Sequence, residues 1–162
     1  MLRIVHICPT GYMDGWGYQE NLLPEYLSQE GTENHVIAPA DSFPPFFSEK
    51  EKSEIRAKGD SYMVGSVRIH RVKSRQLTTS LVFIPGLKKI LAEIRPDFIF
   101  HHDVIFSTML PAASYAAGSP QQPYEYIRMP RFAGEGKIAY ISTSRNMNAI
   151  KLLDISTMQS ET

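Results

Sequence analysis

Two short stretches hold the groups that can do chemistry. The first is Gly15-Trp16-Gly17-Tyr18-Gln19-Glu20, lying between an apolar run and a helical pattern. A glycine loop there lets backbone N–H groups approach a phosphate, because glycine carries no Cβ and the next helix begins with an electropositive end. Gly15 and Gly17 are therefore candidate binding residues, with a turn needing positive φ as the plain alternative. Tyr18, with Trp16, can line a pocket or pack on a neighbouring insertion. Gln19 and Glu20 open the helix, where the dipole favours an acidic side chain even without a ligand. The second stretch, His101-His102-Asp103, comes after the apolar run Phe98-Ile99-Phe100. Open α/β sheets place ligands at that end of their strands. Histidine serves as a base near neutral pH and a nearby carboxylate can orient it. Polar packing at a strand end is the alternative. Neighbours on an extended strand point to opposite faces, so no metal site is expected. No catalytic residue is assigned.

Other features have plain readings. Cys8 is the only cysteine, cannot form an internal disulfide, and reads as a small buried filler. Arg68, His70, Arg71, Lys73 and Arg75 form a basic cluster suited to an anionic acceptor or to lipid headgroups, with a solvated strand end as the simpler reading. Phe43, Phe46 and Phe47 in a proline-rich loop suit an interface or fold back onto the sheet.

These groups need positioning elements, and the pattern supplies them. Leu2 to Ile7 reads as a buried strand entering a loop at Cys8-Pro9-Thr10-Gly11. Leu22, Leu23, Tyr26 and Leu27 recur at helical spacing, with Gly31 placed for a left-handed cap. Pro24 is expected to kink that helix or confine its regular part to the far side. Val36-Ile37-Ala38, closed by Pro39, makes a second strand and completes a βαβ unit. Residues 41–62 read as an insertion outside the core, with a short solvated helix between Ser48 and Lys58. Val67, Ile69 and Val72 mark a third strand; Leu87, Ile90, Leu91 and Ile94 a helix; Phe98-Ile99-Phe100 a fourth strand; and Ile105 to Ala117 a further helix. This alternation predicts an α/β fold, a Rossmann-like doubly wound parallel sheet. After Gly118 the alternation stops. A weak strand is expected at Ile138 to Ile141, a helix at Ile150 to Ile155, and a frayed end from Ser156 to Thr162. The domain reading is 1–117 for the Rossmann-like unit and 118–162 for a divergent or poorly ordered C-terminal segment.

Across 162 residues, 17 basic and 17 acidic side chains cancel, so overall charge gives no pull toward nucleic acid. No run approaches the ~18 apolar residues that span a bilayer. The expectation is a cytoplasmic protein, with peripheral contact at the inner face of the membrane.

Gly15-Trp16-Gly17-Tyr18-Gln19-Glu20-Asn21, then Leu23 and Leu27, then Gly31-Thr32-Glu33-Asn34-His35-Val36-Ile37-Ala38-Pro39, resemble in order and spacing the opening of family-4-like glycosyltransferases of the GT-B fold. The Gly-Tyr-Gln-Glu-Asn run is similar to a subgroup associated with cell-surface polysaccharide assembly. Arg95-Pro96-Asp97-Phe98-Ile99-Phe100-His101-His102 resembles the Pro-Asp-hydrophobic strand that delivers histidine to the cleft. The resemblance implies an acceptor-side N-terminal domain, a nucleotide-sugar donor, a sugar or lipid-linked acceptor, and transfer with retention of configuration without metal or other cofactor. It also implies a separate donor-binding half, not found in these 162 residues, so the chain is expected to be inactive alone. A catalytically silent binding or partner module is the alternative. A dinucleotide oxidoreductase fits less well, because the loop lacks Gly-x-Gly-x-x-Gly spacing and Pro39-Ala40-Asp41 offers only a weak ribose-binding acid.

The resemblance covers residues 2 to about 117. Beyond it the family pattern leads one to expect an Asp-x-His-Ala-Asp-like segment, which is missing. Yet Ala139-Tyr140-Ile141-Ser142-Thr143-Ser144-Arg145-Asn146 resembles the stretch directly C-terminal to that segment in the subgroup. A reading-frame disturbance between about Gly118 and Ile138, later restored, reconciles the two observations. Translating the other frames of the gene over that interval is expected to reveal a His-Ala-Asp-like segment, and its absence there rules the idea out.

Overall fold

The computed structural model describes residues 1–9, 12–43, 46–78, 81–102, 106–118, 126–134, 137–144, 147–154 and 159–161, the last four stretches as backbone. The chain opens with β1 (Arg3–Ile7), α1 (Gln19–Gln29) and β2 (Glu33–Pro39). Next come α2 (Glu49–Ala57), the hairpin β3 (Ser61–Val64) and β4 (Val67–Val72), and a separate hairpin β5 (Arg75–Thr78) and β6 (Leu81–Phe83). The remaining elements are α3 (Leu87–Ile94), β7 (Phe98–His101), α4 (Phe106–Gly118), β8 (Tyr126–Gly134), β9 (Lys137–Ser144), β10 (Met147–Asp154) and β11 (Gln159–Glu161).

Nine strands form one sheet in the order β11-β10-β9-β8-β7-β1-β2-β4-β3. Its centre, from β8 through β7, β1 and β2 to β4, is parallel. Both flanks are antiparallel: β3 on β4 at one side, and β9, β10 and β11 beyond β8 at the other. The fold is α/β as expected, but the sheet is mixed and not wholly parallel. Connection length explains the difference. Only two residues separate β3 from β4, β8 from β9, and β9 from β10, whereas a parallel return needs a crossover of a dozen or more.

Side-chain alternation sorts the central strands into two faces. One face presents Val5, Ile7, Ile37 and Ile99, covered by Leu87, Leu91 and Ile94 of α3, Met109 and Ala112 of α4, and Val82 of β6. The other presents Val36, Ala38, Val67 and Ile69, packed with Cys8 and Tyr12. On that second face Asn34 of β2 reaches Ser28 of α1, so helices lie on both sides of the sheet. Phe43, Phe47 and Ile55 form a smaller cluster with Met13 and Trp16 packed on it, so the insertion carries a core of its own. A capping box closes the start of α2, Ser48 accepting from Glu51 N and the Glu51 side chain accepting from Ser48 N.

The expected helix face of α1 needs correction. Leu23 and Leu27, one turn apart, are buried, whereas Leu22 and Tyr26 are exposed. Each leucine next door is about 100° round the helix, so one pair faces the sheet and the other faces water. The helix is not confined to the far side of Pro24, which is buried within it. Gly31 comes after the helix with φ +84°, the left-handed conformation expected of a C-terminal glycine.

The expected helix at Ile150 to Ile155 is also overturned: Met147–Asp154 is a strand, registered residue for residue on β9. A six-residue helix is too short to hold by itself, while the strand satisfies its backbone along a neighbour. Gln159–Glu161 of the expected frayed end pairs with Leu152–Asp154.

The two faces of α1 separate by mutation. Leu23→Ala should lower stability by about 2–5 kcal/mol in urea unfolding, and Leu22→Ala by no more than about 0.5 kcal/mol.

Candidate functional site

From β1 the chain moves outward to β2, on to the edge strand β3 and back by a hairpin to β4, then crosses to β7 on the other side of β1. The direction of winding therefore reverses between β1 and β7, and a crevice at the carboxyl ends of such a pair is where open sheets take ligands. Cys8 N donates to Ile37 O at 2.9 Å and His102 N to Ile7 O at 2.9 Å. These bonds fix the last residues before the two chain segments leave the sheet. The glycine loop departs from β1 and the His102 segment from β7, so both candidate stretches lie at this edge.

The glycine loop is held from below by a buried cation. Arg71, only 4% exposed, donates from its side chain to Tyr12 O at 2.6 Å, Pro39 O at 3.4 Å and the Tyr62 hydroxyl at 3.0 and 3.1 Å. Asp14 lies 3.9 Å from that guanidinium, accepts from Tyr62 at 3.2 Å and pairs with Lys58. The Asp14 carboxylate holds the Lys58 ammonium above its usual range. Asn21 of α1 donates to Met13 O at 2.6 Å. The basic cluster of the sequence is thus divided. Arg71 is interior and hydrogen-bonded through all three of its nitrogens, contrary to a solvated strand end, while Arg68, Lys73 and Arg75 remain exposed.

Within the loop, Gly15 adopts φ +79°, which favours glycine whatever surrounds it. Gly17 has no such constraint, and a Cβ placed on it would meet nothing within 4 Å. Trp16 packs among Tyr18, Phe46 and Phe47 with ring centroids 5.3–5.6 Å apart. Packing on the insertion is therefore what Trp16 does. Tyr18 and Phe46 remain 57% and 65% exposed. Gln19 and Glu20 form the first turn of α1, both half-buried.

The histidines at the second stretch diverge, as alternation requires. His101 is buried against α4, its Nε2 2.9 Å from Thr108 Oγ1. His102, also buried, lies on the opposite face with Nε2 3.0 Å from His6 Nδ1. Asp103 lies outside the described residues. His6 stacks between Phe100 and His102, with centroids at 5.2 and 5.3 Å, and its Nε2 is 3.1 Å from Asn34 Oδ1. Burial pushes the His6 pKa down to about 3.

Sequence reasoning missed His6 and Asn34. Their signal was present as a histidine within the run Ile4 to Ile7 and an asparagine shortly before Val36-Ile37-Ala38. A second pair was missed too: His35 Nδ1 lies 2.9 Å from His70 Nε2, and Glu33 bridges His35 to Arg3. Desolvation lowers the pKa of both histidines, to about 4 for His70. Asp41, the weak ribose-binding candidate, instead accepts from Ser74 N and Oγ, at 3.2 and 2.7 Å.

Among the described residues, no group of three or more His, Cys, Asp or Glu is placed to hold a metal ion. Nor is any helix among them long and apolar enough to cross a membrane. Compared with known proteins, the chain matches no family model, no curated protein and no solved structure.

Buried neutral histidine makes stability depend on pH. Between pH 6.5 and about 3 the unfolded chain protonates His6 while the folded chain does not. Stability is thus fullest above pH 6.5 and declines on acidification, at a slope approaching ~1.4 kcal/mol per pH unit for one such group; His70 acts in the same direction. Urea unfolding at pH 7, 6, 5 and 4 is expected to show this decline, and His6→Phe to flatten it.

Proposed function

We propose that the chain is the acceptor-side, N-terminal domain of a GT-B-type glycosyltransferase. It would hold a sugar or lipid-linked acceptor of cell-surface polysaccharide assembly while a second domain supplies the nucleotide-sugar donor. The observation that carries this reading is the reversal of winding between β1 and β7, with the Gly15 loop leaving one strand and His102 the other. That is where the ordered resemblance leads one to expect the interdomain cleft. Gly17 adds support: neither backbone conformation nor crowding calls for glycine there, which is compatible with an approaching ligand. Gly15, Tyr18, Gln19 and Glu20 belong to the same proposed surface, as do His101, His102 and Asp103 in the reading from sequence.

In this reading the domain contributes acceptor orientation and, on closure, exclusion of water from the cleft. The exposed Arg68, Lys73 and Arg75 would meet anionic headgroups at the inner face of the membrane. A second reading, a catalytically silent binding module, is favoured by one observation. His101 and His102 are both buried and engaged within the protein, a poor starting arrangement for proton transfer to a ligand.

Trp16 is the sole tryptophan and sits in the loop, so its fluorescence reports on the proposed surface. Lipid-linked oligosaccharide acceptors are expected to change that fluorescence saturably, with no sugar transfer when nucleotide sugars are added to the chain alone. Gly17→Val should weaken the binding at least tenfold without lowering unfolding stability. Clear transfer by the isolated chain would overturn the acceptor-only role, and the absence of acceptor binding would overturn the domain assignment.

A further inference from the structure

The hydrogen bonds behind His102 have only one consistent direction. Ser28 Oγ donates to Pro24 O at 2.9 Å, and Thr32 Oγ1 donates to Leu27 O at 2.7 Å. Each hydroxyl has one proton, and a backbone carbonyl can only accept. Both hydroxyls must therefore accept from Asn34, at 3.0 and 2.7 Å, and Thr32 O accepts from the same atom at 3.3 Å. The atom of Asn34 facing them is its amide nitrogen, which turns the amide oxygen toward His6.

That orientation propagates. Asn34 Oδ1 can only accept, so His6 Nε2 carries a proton. His6 is neutral, because burial opposes its charge. Its Nδ1 is then a lone pair, and the 3.0 Å contact with His102 Nε2 is closed by a proton on His102. Two carbonyls of α1 thus fix a proton on Nε2 of an imidazole directly after β7.

We infer that Asn34 and His6 are positioning residues that fix a proton on Nε2 of His102, which donates to His6 Nδ1 and so sets the orientation of the His102 ring directly after β7. The hydrogen-bonded chain spans all three central strands, with Asn34 on β2, His6 on β1 and His102 directly after β7. It therefore forms only when the sheet is in register. A structural role alone would call for filled space and satisfied hydrogen bonds, which either His102 tautomer could provide with a different partner. A proton fixed on Nε2 by His6 is a distinct claim with its own spectroscopic signature.

The test uses the whole chain labelled with 15N-histidine, with two-bond proton–nitrogen correlation spectra at pH 7. His6 is expected to show protonated Nε2 and unprotonated Nδ1, and His102 a protonated Nε2. In His6→Phe, which keeps a ring against Phe100 but removes the acceptor, the His102 Nε2 signal should move away from that of a fully protonated nitrogen. An unprotonated Nε2 on His102 in the unaltered protein, or a His102 pattern unchanged in His6→Phe, overturns the inference. If the variant does not fold, the spectrum of the unaltered protein decides alone. Failure of acceptor binding in the Trp16 titration leaves this result standing, so the two ideas fall separately.

Discussion

The parallel pairing of β1 between β2 and β7 is the constraint on which the rest depends. Ile4 to Ile7 lie opposite Asn34 to Ile37 on one side and Phe98 to His101 on the other. That register sends odd-numbered side chains of β1 under α3 and α4 and even-numbered ones toward α1. A shift of one residue would exchange the two sets and expose Val5 and Ile7 to the wrong layer. The same register brings the backbone N–H groups of Cys8 and His102 to their last acceptors before the chain leaves the sheet. The crevice is thus a consequence of strand order, and its lining a consequence of register.

Two sets of polar groups inside this sheet are held by hydrogen bonds. Arg71 is the clearest instance: a cation in the interior whose donors reach Tyr12 O, Pro39 O and the Tyr62 hydroxyl, with Asp14 close by. Burying it alone would cost several kcal/mol. Bonded in this way, it ties the loop after β1 to β2, β3 and β4. The Asn34–His6–His102 chain does the corresponding work across β2, β1 and β7 around a neutral His6. Its direction is imposed by carbonyls of α1.

The glycine loop and the insertion support each other by a different force. Trp16 has no place in the sheet's own core, and its ring rests on Phe46 and Phe47. Phe47 in turn packs with Phe43 and with Ile55 of α2. The residues that read as an excursion are thus the floor of the loop that carries Gly15 and Gly17. Tyr18 and Phe46 remain exposed at its rim.

Much of this was legible in the chain itself. Leu2 to Ile7, Val36 to Ala38, and Phe98 to Phe100 are short apolar runs ended by proline or polar residues, and each is a strand. Leu87, Leu91 and Ile94 define the buried stripe of α3, and Gly31 marks the end of α1. Local pattern sufficed because strand burial and helix spacing are written residue by residue. It could not separate Leu22 from Leu23, since both fit a helix and only the sheet decides which side is inward. Nor could it see that Met147–Asp154 is a strand, which depends on a neighbour two residues away in sequence. The pairing of His6 with His102, 96 positions apart, and the burial of Arg71 within a basic run arise only when distant strands are set side by side. The sequence by itself determined which segments become strands and helices, and that glycine and histidine would stand at strand ends. The tertiary structure decided which of those side chains face one another, because partnership in a sheet is a matter of register and strand order.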